Sequence, residues 1–151
     1  MTSRRNRTKS DNPEPLESEA QKWCWPVLGP EREVARDYSA AVPSVELAAL
    51  GGAAVAVDDG VVVVAGPTAH GHRVWIQHPD RAESGYIDLR SNNVQAGEVM
   101  SNPLQVGDKV RQGQIVGLTG PTLRFSVRDR TDSGQCISRD PASRLRQVVG
   151  G

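Results

Sequence analysis

The feature that most constrains this chain is a series of short apolar runs of strand length, most of them ended by Gly, Pro or Asp. The segments interpreted as strands are residues 53–57, 61–65, 74–78, 86–89, 106–117 (two short strands) and 123–128. Asp58-Asp59-Gly60 separates the first two runs and predicts a hairpin. No long segment has helical periodicity, so an all-β domain is predicted, with one or two helical turns within residues 141–148.

The first 22 residues differ in composition from the rest of the chain. They begin with four basic residues within residues 4–9, followed by acidic and Pro-rich sequence with hardly any apolar side chains. Such a segment cannot bury enough surface to offset the entropy lost on ordering. We therefore predict a tail over residues 1–22, flexible or ordered by a partner, and one β-domain with a modest core over residues 23–151.

Charge and composition exclude several classes of partner. Eighteen basic and eighteen acidic residues give a formal net charge of zero, and one Phe and two Tyr offer few stacking surfaces, so no nucleic-acid partner is predicted. No apolar run approaches the roughly 20 residues of a membrane span, so no membrane partner is predicted either. The basic N-terminus is not followed by the apolar segment of a secretion signal, which predicts cytoplasmic synthesis and, outside the cytoplasm, a place in a virion or other assembled particle.

The cysteines and histidines do not form a recognisable metal motif. The spacing of Cys24 and Cys136 matches no zinc or redox pattern; two reduced thiols are the favoured interpretation, and a disulfide joining the ends of the domain stays open. His70 and His72 lie two residues apart, as in a solvated loop. His78 is expected to have a hydrogen-bonded structural role.

Four short motifs follow one another in a characteristic order. Trp-Pro-Val stands at residues 25–27, and an Asp-Gly hairpin pattern at residues 55–66. Ile-x-His stands at residues 76–78, and Val-Gly-Asp-x-Val-x-x-Gly-Gln-x-x-Gly at residues 106–117. From about Trp23 to Pro141, this series resembles the LytM-type (lysostaphin-like) zinc peptidases. Biotinyl and lipoyl carriers share the last motif, but no Lys is placed as their acceptor. The resemblance implies twisted antiparallel sheets with a barrel-sandwich-hybrid-like segment.

The resemblance also implies a zinc site, held by His, Asp and His with two further His residues assisting a metal-bound water. The motif His-x-x-x-Asp is matched here by Glu33 and Asp37. Gly-Pro-His-x-His-Phe is matched by residues 120–125, which place Thr122 and Arg124 at the His positions. Asp88 replaces the His of a Tyr-Ala-His-Leu strand. Four of these five former zinc or catalytic positions thus carry other residue types.

Arg124 carries the most weight among these replacements. Its guanidinium stays protonated, cannot ligate a metal and repels zinc. We therefore predict no catalytic residues, no metal and no cofactor, and expect Arg124 to pair with Asp37 or Asp88. Two loop differences agree with the loss of the zinc site. The family's glycine-rich loop before Gly-Pro-His is missing, and residues 91–102 look like an insertion.

These observations predict a non-catalytic structural or binding module that keeps a degenerate peptidoglycan-peptidase fold. A phage tail or injection-type particle would suit such a module, with protein partners and with peptidoglycan as a second candidate ligand. The alternatives are a cell-wall-associated regulator of hydrolases and a residual peptidoglycan endopeptidase with a substituted mechanism.

Overall fold

The computed structural model describes residues 23–29, 32–90, 94–95, 98–99 and 104–146. The tail at residues 1–22 and most of the insertion at residues 91–102 lie outside the described residues. The predictions made for them therefore stay predictions.

Within these ranges the chain forms twelve strands and one short helix, which confirms the all-β prediction. The strands are β1 (Val34–Arg36), β2 (Val45–Ala48), β3 (Ala53–Val55), β4 (Gly60–Thr68), β5 (Gly71–Gln77), β6 (Ala82–Leu89), β7 (Val94–Gln95), β8 (Glu98–Val99), β9 (Lys109–Val110), β10 (Ile115–Leu118), β11 (Thr122–Arg130) and β12 (Cys136–Arg139). The helix α1 (Ala142–Leu145) falls inside the predicted range.

The main sheet of the described chain has eight antiparallel strands in the order β1-β2-β11-β6-β5-β4-β9, with β12 also paired to β11. Strand β11 is central, since it pairs with β6 along one edge and with β2 and β12 along the other. Its Leu123, Phe125 and Val127 are buried, whereas Thr122 and Arg124 are half-buried. The alternation predicted for this strand is thus present, and it divides the sheet into a core face and an outer polar face.

The hairpin predicted between residues 53–57 and 61–65 is wrong. Strand β3 pairs with β10 in a separate two-stranded sheet, whereas β4 pairs with β5 and β9. Every residue from 53 to 57 is buried, as suits a segment covered on both faces rather than a surface hairpin arm. Gly60 lies so close to β5 that a Cβ there would be 2.4 Å from the Gln77 carbonyl oxygen. The turn therefore connects two sheets.

The core between the sheets is organised around three aromatic rings. Tyr86 and Phe125 meet edge-on with ring centroids 5.5 Å apart, and Trp23 approaches Phe125 in the same manner at 6.4 Å. All three side chains are fully buried, and offset or edge-on contacts are the favourable arrangement for such rings. Trp23 thereby joins the start of the domain to its central strand.

His78 has the structural role predicted for it. Its Nδ1 lies 2.8 Å from the Asp59 carbonyl oxygen and its Nε2 lies 2.8 Å from the Ser84 hydroxyl. The Tyr86 hydroxyl lies 3.0 Å from Ser84 and accepts a hydrogen bond from the Val57 amide. A neutral imidazole donates from one nitrogen and accepts at the other, so Nδ1 donates to the Asp59 carbonyl and Nε2 is the acceptor. Burial lowers the pKa of His78, which favours this neutral form.

The two cysteines are not joined. Cys24 is half-buried and its thiol donates to the Ala56 carbonyl at 3.3 Å, whereas Cys136 is exposed on β12, and both are free. The disulfide alternative is therefore wrong, and burial raises the pKa of the Cys24 thiol. As for membrane spans, the described part of the chain contains no helix of sufficient length and apolarity.

Candidate functional site

The outer face of the main sheet brings together the polar side chains of β2, β11 and β6. Arg124 lies directly opposite Glu46 on one neighbouring strand and opposite Ile87 on the other. Directly opposed residues of adjacent strands project from the same face, so these three side chains are neighbours. Leu47 and Leu123, adjacent to them in sequence, point into the core and are buried.

Two ion pairs organise this face. An Arg124 guanidinium nitrogen lies 3.7 Å from an Asp88 carboxylate oxygen, with 43% and 29% of the two side chains exposed. The Arg36 Nε lies 3.2 Å from a Glu46 carboxylate oxygen. The Asp88 carboxylate also accepts a hydrogen bond of 3.4 Å from the Thr68 hydroxyl. The predicted pairing of Arg124 with Asp88 is confirmed.

The backbone of Asp88 explains how its carboxylate reaches Arg124. Its φ is +62°, in the left-handed region that Asp tolerates better than most residues. The regular pairing of β6 with β11 ends at Ile87, the residue before it. The left-handed residue breaks the strict alternation of the strand. Asp88 can therefore share the outer face with Arg124 although it follows Ile87 directly.

The structure separates the five residues that the motif matching grouped. Thr122 lies two positions before Arg124 on β11 and is half-buried on the same face. Glu33 and Asp37 flank β1, and both are exposed. Among the residues that the structure describes, neither carboxylate forms an ion pair. The site thus contains Asp88, Thr122 and Arg124 but not Glu33 or Asp37.

Sequence reasoning missed Glu46. The register of β2 against β11 makes it the acidic residue opposite Arg124, and Val42 precedes it by four positions, the spacing of His-x-x-x-Asp. The motif was matched to Glu33 and Asp37 instead, because position 37 still carries an Asp. A sequence signal for Glu46 was present in the alternating segment Val45-Glu46-Leu47-Ala48. A residue that faces β11 has to lie on a strand that pairs with β11, and this alternation is typical of such a strand.

These residues do not fit a zinc ion. Zinc in a catalytic site takes neutral imidazole or carboxylate ligands that converge on one point and leave a position open for water. Here a guanidinium takes one ligand position, Arg36 engages the Glu46 carboxylate and Arg124 engages that of Asp88. Across the residues that the structure describes, no group of three or more His, Cys, Asp or Glu side chains could hold a metal.

The outer face continues into a second charged cluster. Glu83 is fully buried, and its two carboxylate oxygens accept hydrogen bonds from the Nε atoms of Arg128 at 2.7 Å and Arg130 at 2.9 Å. Arg128 also lies over the Trp75 ring, 3.9 Å from the ring centroid. The interaction with Glu83 raises the pKa of Arg130. Carboxylates and guanidinium groups are thus paired along this face.

The fold and this altered outer face define a β-domain of the zinc-peptidase type. Residues 43–135 match the profile described as Peptidase family M23, and this match spans more than half of the chain. The chain therefore belongs to peptidase family M23, the family that includes the LytM-type domains. The matched region contains Glu46, Asp88, Thr122 and Arg124 but begins after Glu33 and Asp37.

Solved structures show the same fold. Csd3 of Helicobacter pylori is 22% identical with a TM-score of 0.61, and the match covers 86% of this chain and 34% of that chain. Lysostaphin of Staphylococcus simulans is 22% identical with a TM-score of 0.60, covering 86% and 55%. A chain of the SpoIIQ–SpoIIIAH pore forming complex is 19% identical with a TM-score of 0.61, covering 81% and 89%. This chain thus spans about a third of Csd3, and no curated protein sequence matches it.

Proposed function

We propose that this M23 domain is a non-catalytic structural or binding module of a larger assembly, such as a phage tail or an injection-type particle. The observation that carries the proposal is Arg124, which stands where the family pattern has a zinc-binding His and is paired with Asp88. The alternatives are a cell-wall-associated regulator of hydrolases and a residual peptidoglycan endopeptidase.

Electrostatics argues against a working zinc site at Arg124. Two like unit charges 4 Å apart repel by roughly 4 kcal/mol at the effective dielectric of a protein surface, and a divalent ion roughly doubles this. Thr122 and Asp88 stand where the family pattern has the His residues that assist the water. Neither a hydroxyl nor an ion-paired carboxylate replaces an imidazole that titrates near neutral pH. Ligation and proton transfer are therefore impaired together.

The fold similarity supports a place in an assembly. The SpoIIQ–SpoIIIAH structure is of a pore forming complex, and the match covers 89% of the aligned chain, so a domain of this size occurs in such a complex. Lysostaphin is described as an antimicrobial peptidase, so related folds also act as hydrolases. The particle type rests on analogy with wall-hydrolase folds carried by phage particles.

A peptidoglycan-release assay tests the loss of activity. The purified chain, supplemented with zinc, is incubated with labelled cell walls beside an active M23 peptidase, and release equal to the buffer blank is expected. Release that disappears in Asp88→Ala would support the residual endopeptidase instead.

Detection of the chain in purified particles tests the assembly role. We expect the chain to co-purify with the particle at fixed stoichiometry. If it is absent from particles and stimulates a wall hydrolase in the release assay, the regulator alternative is correct.

A further inference from the structure

A cavity of about 570 Å³ lies on the other side of the sheet from the former zinc position. Its lining residues are Trp25, Arg32, Val34, Asp37, Val45, Asp140, Ala142, Leu145 and Arg146. Val45 directly precedes Glu46 in β2, and adjacent residues of a strand project from opposite faces. The cavity is therefore separate from the Arg124 face, and its volume is typical of ligand pockets.

The cavity wall contains a buried donor without an acceptor. The Trp25 side chain is only 7% exposed, and its indole N–H has no hydrogen-bond partner in the described part of the chain. Leaving such a donor unsatisfied costs on the order of 1–3 kcal/mol, but the nitrogen itself is covered, so Trp25 contributes to the cavity as an apolar ring. Among the described residues, neither the Asp37 carboxylate nor the Arg146 guanidinium has an ion-pair partner. The wall thus offers apolar surface and charges of both signs, from Asp37 and Asp140 and from Arg32 and Arg146.

The position of the cavity beside β1 indicates what could occupy it. Strand β1 is the outermost strand of the main sheet, and its outer edge has no strand partner among the residues described. Val34, on this strand, lines the cavity and is 40% exposed. An open strand edge next to a side-chain pocket is the arrangement by which sheets bind extended peptides, since the edge supplies main-chain hydrogen bonds and the pocket supplies specificity.

We propose that an extended segment of a partner protein adds to β1 and inserts a bulky apolar side chain into this cavity. A basic residue on one side of the apolar anchor pairs with Asp37, and an acidic residue on the other side pairs with Arg146. This inference rests on the binding role proposed above but not on the loss of catalysis, so the peptidoglycan-release assay and the test below can fail independently.

Titration of the ¹⁵N-labelled full chain with a defined peptide tests the proposal. The probe is acetylated and amidated Lys-Val-Leu-Val-Glu, and the reporter is the Trp25 indole signal, assigned with Trp25→Phe. We expect a saturable shift of that signal with a Kd on the order of 0.1–1 mM. Val34→Arg should weaken binding at least tenfold, whereas Val42→Arg, at a valine of 39% exposure outside the cavity lining, should not.

Exchanging the charges of Asp37 and of the peptide Lys provides a second test of the proposal. Asp37→Lys should weaken binding of this peptide, and replacing the peptide Lys with Glu should restore it. No shift of the Trp25 signal at millimolar peptide, or equal binding by the Val34 and Val42 variants, would overturn the proposal. Self-association of the wild-type chain that Val34→Arg abolishes, measured by sedimentation, would also overturn it by making a second copy the occupant.

Discussion

Replacing Glu83 by Gln should destabilise the domain far more than the loss of one surface charge would. The Glu83 carboxylate is fully buried on β6 and joins two arginines of β11 through bonds of 2.7 and 2.9 Å. Gln has nearly the same shape but no charge, and its amide has one oxygen for two guanidinium groups. The substitution therefore isolates the electrostatic contribution from that of packing.

The expected loss follows from the burial of each partner. Removing one member of a buried ion pair costs about 3–5 kcal/mol, because it leaves the other charge uncompensated. The Arg128 and Arg130 side chains are partly solvated, and Arg128 keeps its contact with the Trp75 ring, so both can be rehydrated in part. The lower end, about 3 kcal/mol, is therefore expected for Glu83→Gln. For a domain of this size, that corresponds to a fall in Tm of about 10 °C.

Urea unfolding followed by Trp fluorescence and by circular dichroism measures this loss. Asp129→Asn is the matched control, because Asp129 is also on β11 and accepts a hydrogen bond from Arg139 at 2.9 Å, but in a pair that is about half exposed. It should change the free energy of unfolding by less than about 1 kcal/mol. Equal effects of the two substitutions would refute the argument that burial makes the Glu83 cluster stabilising.

Three further substitutions or conditions have expected outcomes. Burial lowers the pKa of His78 in the folded state below its ordinary value of about 6.5, so below that pH the unfolded chain binds more protons. Stability should therefore fall on acidification below about pH 6.5, and His78→Gln should weaken this dependence in urea titrations at several pH values. Gly85→Ala would bring a Cβ within 2.6 Å of the Trp75 indole and should cost about 1–3 kcal/mol in chemical unfolding, whereas Gly66→Ala, with open space around it, should be tolerated. Arg124→Ala should cost less than about 1 kcal/mol in the same assay, because its ion pair is long and partly exposed.

The local patterns of the sequence were sufficient to predict the strands and the half of the site that lies on them. Residues 123–128 alternate because one face of β11 is buried, and that alternation is visible in the sequence. The Gly-Pro-x-x-x-Phe context placed Thr122 and Arg124 on this strand. The Arg124–Asp88 pair was predictable only from the family resemblance, which places both positions at one metal site.

The remaining features depend on contacts between distant parts of the chain. Residues 53–55 pair with β10 rather than with the following run, since burial on both faces overrides the local turn signal. Glu46 reaches Arg124 only through the register of β2 on β11, which no spacing within either segment specifies. Asp37 preserves the residue type of the motif but follows β1 and lines the cavity beside it, so motif matching alone did not place it relative to β11.

Restoring the ligands should distinguish the two motif assignments. Val42→His, Glu46→Asp and Arg124→His together would recreate a His-x-x-x-Asp pair, with the Asp on β2 beside β11 and the His just before that strand, and this triple variant should gain zinc. Glu33→His with Arg124→His, which relies on Asp37 instead, should not, because those residues flank β1 on the far side of β2. If only the Glu33→His, Arg124→His variant gains zinc, Asp37 rather than Glu46 corresponds to the zinc-binding Asp of the family.

The zinc content of the wild-type chain tests the central account most directly. The full chain is equilibrated with zinc at neutral pH, dialysed and measured by elemental analysis, with the triple variant as the positive control. Zinc far below one ion per chain is expected, because Arg124 holds the ligand position and Asp88 is already paired with it. One tightly bound zinc per wild-type chain, lost in Glu46→Ala or Asp88→Ala, would contradict the account.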